Sequence, residues 1–254
     1  MTAAIPLASS RLAARPGVEA TPWVLMYHSV SECTDDPYRI TVSPDRLDRQ
    51  LGWLRARGMT GVSVAGLLAA HREGRAAGLV GLTFDDGYAD FLHAAVPLLR
   101  RYGFTATVFV LPGRLGGQND WDPLGPRKPL LTRDGIRAVA EAGMEIGSHG
   151  LFHTNLVLAD DEQLRRETAD SRKLIETITG AAPDGFCYPY GLVDARTVEA
   201  VRAAGYGYAC AIAPGRLAGP HALPRTYIGA QDTAPRLRAK LVRHRWRSAK
   251  VAAR

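Results

Sequence analysis

Short apolar runs, rich in β-branched and aromatic residues, alternate with helix-patterned segments along most of this chain. That alternation is the strongest constraint on the fold. Strands separated by helices cannot pair as tight hairpins; they run parallel, with the helices covering the sheet. The runs at 23–27, 59–62, 79–84, 104–111, 144–148, 186–188, 206–212 and 226–228 read as strands. Ser43-Pro44 sets an N-cap before a proline at the first helical position and opens a helix that Gly58 stops. Ser63 and Thr132 cap further helices, and 91–101, 160–179 and 194–204 complete the set. The expected fold is α/β, a deformed (β/α) barrel in a single domain, for which 254 residues suffice.

In parallel barrels the working residues stand at the carboxyl ends of strands. Three polar clusters fall there: Thr83-Phe84-Asp85-Asp86-Gly87, Ser148-His149-Gly150-Leu151-Phe152-His153 and Tyr188-Pro189-Tyr190-Gly191. Clusters at the same end of three strands converge in space. The segment 112–131, rich in proline and glycine, is expected to loop over that face, and loops of such length inside compact domains are usually functional.

Two adjacent carboxylates cannot point the same way on an extended strand. At a strand end followed by glycine, one can bind a metal while the other faces a bound water. His149 and His153, spaced i, i+4, can bring two imidazoles to one ion. A His-His-Asp set leaves open positions, which marks a catalytic metal. Such an ion polarises a carbonyl and lowers the pKa of its water to about 7. Asp85 beside that water is the expected base. Nitrogen and carboxylate donors suit zinc first, with nickel, cobalt or iron as alternatives.

These motifs resemble those of the polysaccharide deacetylase family, the NodB-homology or carbohydrate esterase family 4 group, and its exopolysaccharide-processing branch in particular. The TFDDG segment is similar to the family's first motif, SHGLFH to its second and YPYG to its third. The resemblance implies Asp85 as base, Asp86, His149 and His153 as metal ligands, and a divalent metal, most simply zinc. It implies removal of the acetyl group from an N-acetylated glycan or glycoconjugate, with acetate and a free amine as products. Tyr190 would lie beside the substrate.

The chain departs from the family pattern in three places. Gly150 stands where a loop-fixing Ser or Thr is usual. Cys187 replaces the arginine that orients the base; Arg225 is the candidate to supply that charge from another strand, and joins Tyr190 and His28 as expected substrate-side residues. The later motif carrying the general acid is not evident, which leaves His28, closing the first strand, and His221 as candidates. The alternatives are a degenerate, non-catalytic barrel that binds a glycan or a partner, and an amidohydrolase of the same scaffold acting on a non-sugar amide.

The net charge of +7 is unevenly placed. Residues 233–254 hold eight Lys or Arg and no acid, while residues 1–232 carry 24 basic and 25 acidic side chains. The body is therefore not a nucleic-acid binder by charge. Three segments are expected: a flexible N-terminal arm at 1–21, the barrel at 22–232, and a basic C-terminal helix or tail at 233–254. The arm lacks a basic start, and Pro6, Ser9 and Ser10 interrupt it, so it does not read as a targeting sequence. The three cysteines, an odd number without CxxC spacing, point to a reducing compartment, with Cys33 and Cys210 as small buried thiols. The expected location is cytoplasmic, with peripheral membrane contact through the tail, where Leu237, Leu241, Val242, Trp246 and Val251 intersperse with the basic residues.

Overall fold

The structure is a computed structural model that describes residues 22–252; the proposed 1–21 arm lies outside them. The elements are β1 (Val24–Tyr27), β2 (Ser29–Val30), β3 (Thr41–Val42), α1 (Pro44–Arg55), β4 (Thr60–Val62), α2 (Val64–Arg72), β5 (Leu79–Phe84), α3 (Val96–Tyr102), β6 (Thr107–Val110) and α4 (Arg133–Glu141). They continue with β7 (Glu145–Ser148), α5 (Asp161–Arg165), α6 (Ser171–Thr179), β8 (Gly185–Cys187), α7 (Ala195–Ala203), β9 (Tyr208–Ala211), β10 (Leu223–Pro224), β11 (Thr226–Tyr227) and α8 (Ala234–Ala252).

The caps explain where the helices begin. Ser43, Ser63, Thr132 and Asp160 each accept a hydrogen bond from the amide three residues on, at 2.8–3.2 Å. Asp194 and Thr197 form a reciprocal capping box. Each such cap contributes about 1 kcal/mol. The expected helix over 160–179 is present and carries a π turn at Arg166–Asp170, between α5 and α6. Strand periodicity and helical charge pattern do not report such a turn.

The main sheet is parallel throughout, in the order β10-β9-β8-β7-β6-β5-β1-β11, with β4 beside the first half of β5. Its two ends are consecutive in sequence. β10 pairs with β9, β11 pairs with β1, and the chain changes partner at Arg225. The sheet thereby curls into a nearly closed eight-stranded (β/α) barrel. Trp23 Nε1 donates to Thr226 Oγ1 at 3.0 Å across this closure.

Large side chains fill the interior because two neighbours have none. A Cβ on Gly147 would fall 2.5 Å from the Phe109 ring, and one on Gly185 would fall 2.2 Å from Tyr208 Oη. Outside the barrel, Leu25, Leu47, Leu51, Leu82, Phe84, Leu99, Val108 and Ile136 pack strands against helices with almost no exposure. Each such side chain contributes about 2 kcal/mol from burial. Cys187 and Cys210 are buried, whereas Cys33 is only half-buried in the loop after β2, so the buried-thiol expectation fails for Cys33.

The 112–131 segment lies over the carboxyl end of the barrel. Leu131 N donates to Gly87 O at 2.8 Å and Ala89 N to Pro129 O at 2.9 Å. Lys128 is buried and donates to Ser29 Oγ, Ser31 Oγ and Thr41 Oγ1 at 2.6, 2.9 and 2.9 Å. Ser29 in turn donates to Asp90 at 2.6 Å. The loop is thus latched to the short β2–β3 sheet by a charge-assisted network.

Candidate metal centre and base

β5 delivers two carboxylates to the same cavity by breaking its own alternation. Asp85 N still donates to Tyr27 O at 3.0 Å, as a strand residue would. Asp86 and Gly87 then take left-handed conformations, with φ of 70° and 67°. For Asp86 that costs about 1–2 kcal/mol, and it swings the carboxylate away from the direction the pleat dictates. At Gly87 a side chain would also meet Val110 Cα at 3.1 Å.

β7 ends at Ser148, and His149 N donates to Val110 O at 2.9 Å. The chain turns at Gly150, φ 83°, and at His153, φ 67°. Buried Glu167, on the π turn, fixes this loop. Its Oε2 accepts from Leu151 N at 2.6 Å and Phe152 N at 3.1 Å, and its Oε1 accepts from Thr154 Oγ1 at 2.8 Å. A Cβ at Gly150 would stand 2.7 Å from Glu167 Oε2, so the missing loop-fixing hydroxyl is replaced by this carboxylate.

The outcome is a convergence of Asp86, His149 and His153, all buried, with one donor atom of each within 4.8 Å of the others. His149 Nε2 is 3.2 Å from Asp86 Oδ1, and His153 Nε2 is 3.4 Å from the same oxygen. His149 Nδ1 lies 2.8 Å from Cys187 O, a carbonyl that can only accept, so Nδ1 carries the proton. In a neutral imidazole that leaves a lone pair on Nε2, aimed at a carboxylate. Two buried acceptors this close call for a cation between them, and the carbonyl bond is the outer support that metal-binding histidines usually have. The donor set therefore fits a divalent metal.

A second trio, Asp85, His149 and Cys187, also lies within reach of one ion. It fits poorly. Burial pushes the Cys187 thiol up to about 11, and both Asp85 oxygens are already engaged.

Arg225 engages them. Nη1 donates to Asp85 Oδ1 at 2.6 Å and Nη2 to Oδ2 at 2.8 Å. The same guanidinium reaches Thr83 Oγ1 at 3.0 Å, Cys187 Sγ at 3.0 Å and Ala211 O at 3.3 Å. Its side chain is 1% exposed. Arg225 thus stands behind Asp85 and not in the cleft, which corrects its place among the substrate-side residues. Burial alone would push the Asp85 carboxyl up; Arg225 and His28 instead hold it below the usual carboxylate range. Burial acts the same way on Asp86; when His149 and His153 carry protons on the nitrogens that face it, they hold that carboxyl well down.

His28 Nε2 is 3.9 Å from Asp85 Oδ2, and its buried Nδ1 has no hydrogen-bond partner among the described residues. His221 is elsewhere. It precedes β10, and its Nε2 pairs with the carbonyl of Tyr206, which leads into β9, at 2.8 Å. That is the amino end of the strands, opposite the cluster, so His221 drops out as a proton donor to substrate.

Tyr190 is half exposed, at φ 60°, with its ring 4.6 Å from that of His153. Trp121, from the long loop, stacks on His153 with ring centres 4.5 Å apart. Beside it, Asp122 is pushed up to about 6, by burial first and by the Asp86 charge second. Sequence reading did not single out Trp121, Asp122 or Glu167. The proline- and glycine-rich composition of 112–131 was the signal for the first two; nothing local marks Glu167 among the charges of its helix.

Residues 72–209 match the family model described as polysaccharide deacetylase. The chain is 29% identical over 210 residues to the putative polysaccharide deacetylase YxkH of Bacillus subtilis (strain 168), covering 81% of this chain and 70% of that one. It is 25% identical over 226 residues to the poly-beta-1,6-N-acetyl-D-glucosamine N-deacetylase of Escherichia coli (strain K12), covering 73% of this chain but only 34% of that protein. Among solved structures, the Streptococcus pyogenes deacetylase PplD in complex with acetate superposes with a TM-score of 0.71 at 24% identity, over 87% of this chain and 97% of that one. A de-N-acetylase from Aggregatibacter actinomycetemcomitans gives 0.72 at 21%, over 85% and 98%. At these identities the structural likeness shows the fold.

Proposed function

The chain belongs to the polysaccharide deacetylase family, and from that premise we propose that it is a metal-dependent N-deacetylase of an N-acetylated glycan or glycoconjugate. The observation that carries this reading is the buried Asp86–His149–His153 convergence beside a carboxylate, Asp85, clamped in the ionised form by Arg225.

Asp86, His149 and His153 would hold a divalent cation, with zinc the first choice and nickel, cobalt or iron as alternatives. When bound, the cation polarises the acetyl carbonyl and acidifies a water. The chain's own residues do the rest. Asp85 accepts the proton of the attacking water; Arg225 keeps it ionised and fixes its plane. His28, across from Asp85, gives a proton to the amine nitrogen as the C–N bond breaks, so that acetate and a free amine leave. Tyr190 and Trp121, both in ring contact with His153, wall the cleft.

Acetate release from N-acetylglucosamine oligomers tests the reading, using metal-stripped protein with zinc, cobalt or nickel restored, beside Asp85→Asn. Metal-dependent release that the variant loses is expected. Stoichiometric metal binding with no release from any oligomer would turn the reading towards a non-sugar amide. No metal binding would favour a non-catalytic barrel, against which the Arg225–Asp85 clamp already argues: a pure binder needs no buried, ionised base.

A further inference from the structure

α8 has two faces of different character. Leu237 and Ser248 are buried against the barrel, Leu241 packs there too, and His244 stacks on Trp23 with ring centres 5.8 Å apart. The opposite side carries Pro235, Ala239, Val242 and Trp246, which at about 3.6 residues per turn form one continuous stripe. Val242 and Trp246 are each 59% exposed. Arg238 and Arg245 flank the stripe on one side; Arg236, Arg243 and Arg247 flank it on the other. Lys240, on the side of the helix nearer the barrel, is paired with Asp232.

We propose that the outward face of α8 docks lengthwise on an anionic lipid bilayer, with Val242 and Trp246 at the acyl boundary and the flanking arginines against headgroup phosphates. Charge complementarity selects this occupant. An apolar stripe with a tryptophan, edged on both sides by arginines and without one acid in 233–254, is the pattern of an interfacial helix. A second copy of the chain fits poorly, because two such faces brought together would set arginines against arginines.

The placement also orients the barrel. α8 begins beside β11, where Lys240 Nζ donates to Tyr227 O at 2.6 Å, and runs back to Trp23 at the amino end of β1. Lying on a membrane, it would set the strands along the surface, with the barrel mouth opening sideways at headgroup level. A cleft of about 550 Å³ sits at that edge, lined by Arg39, Arg236, Lys240, Arg243 and Tyr227. Its acids are occupied: Asp36 accepts from Ile40 N and Thr41 N at 3.1 and 2.8 Å, and Asp232 from Gly229 N and Lys240 at 2.8 and 2.6 Å. The inference stands on α8 and this cleft, and does not rest on the deacetylase reading.

Sedimentation of the full chain with vesicles tests it, comparing phosphatidylcholine alone with phosphatidylcholine enriched in phosphatidylglycerol. Binding to the anionic vesicles alone is expected, weakening as salt shortens the screening length below about 10 Å. Emission from Trp246, isolated by comparison with Trp246→Phe, should shift to the blue on binding. Val242→Asp with Trp246→Asp should bind about tenfold more weakly or less, with circular dichroism and thermal midpoint unchanged. Arg238→Gln with Arg245→Gln, which spares the stripe, should weaken binding as well. No binding to either vesicle, or undiminished binding by the Val242/Trp246 variant, overturns the proposal. So does equal affinity for soluble polyglutamate without the blue shift, which would assign the face to an acidic protein.

Discussion

Arg225 grips Asp85 through two parallel bonds of 2.6 and 2.8 Å, and the two residues come from strands brought together only by barrel closure. The clamp opposes the upward push of burial on Asp85, so the carboxyl titrates below its ordinary range. A depressed carboxyl pKa contributes stability above the unfolded value and loses it as pH falls through the folded one. Arg225→Met should therefore leave Asp85 buried and unpaired and move the acid limb of kcat/KM upward. It should cut the neutral-pH rate by about a hundredfold and cost about 3–5 kcal/mol. Arg225→Lys keeps the charge without the fork and should fall between. A pH–rate profile beside thermal denaturation checks this; an unmoved acid limb in Arg225→Met would contradict the assigned role.

Chelation should abolish acetate release, and zinc should restore it. Because a bound ion stabilises only the folded chain, metal at a hundredfold excess over its Kd should add about 2.7 kcal/mol. Asp86→Ala, His149→Ala and His153→Ala should each lose both effects. Metal analysis by mass spectrometry, read beside melting curves, separates lost binding from lost fold.

Glu167 touches no candidate ligand side chain, yet its carboxylate accepts two bonds from the loop between His149 and His153 and a third from Thr154, the residue after His153. Glu167→Gln should cost about 1–3 kcal/mol and weaken metal binding by about 10–100-fold. Gly150→Ser should act in the same direction, since its φ of 83° and the 2.7 Å approach to Glu167 leave no room for a side chain. Isothermal titration with zinc is the direct check; unchanged affinity in both variants would remove Glu167 from the centre's support.

Trp121→Ala should strip one wall from His153 and raise KM for oligomers by about tenfold, with a smaller change in kcat. If kcat falls while KM holds, the ring supports the chemistry and not the substrate.

Asp122 is pushed up to about 6 by burial and by Asp86. A raised carboxyl pKa means that stability is full below the unfolded value and declines as pH rises through about 6. Asp122→Asn should therefore stabilise the metal-free protein at neutral pH and not at pH 4. The gain should be at most about 1 kcal/mol, because the group is partly exposed and solvent-screened. Melting curves across that range decide it; an equal gain at both pH values would mean that ionisation is not the cause.

Much of this architecture was legible because strand ends in a parallel barrel are where chemistry gathers. Asp85, Asp86, His149 and His153 stand in segments whose apolar strand precedes them directly, so local pattern placed them. Arg225 could be named as a candidate that reaches the base from another strand, but its burial behind the base depends on how the sheet closes. Trp121 reaches His153 from a loop whose course no periodicity encodes. Glu167 faces inward on a π turn, and helical periodicity would have left it among its charged neighbours. Tertiary geometry, not composition, decides such residues.

The change of strand partner at Arg225 has a consequence for synthesis. Every motif that identifies the family is complete by Gly191, yet the cation that compensates Asp85 arrives with the last strand of the barrel. A nascent chain that has exposed all three motifs still lacks the clamp, and its first strand still lacks the neighbour that seals the sheet. The centre thus matures late, by the slow, long-range contacts that join the two ends of the barrel. A truncation just before residue 223 would keep every recognisable signature and lose the ionised base.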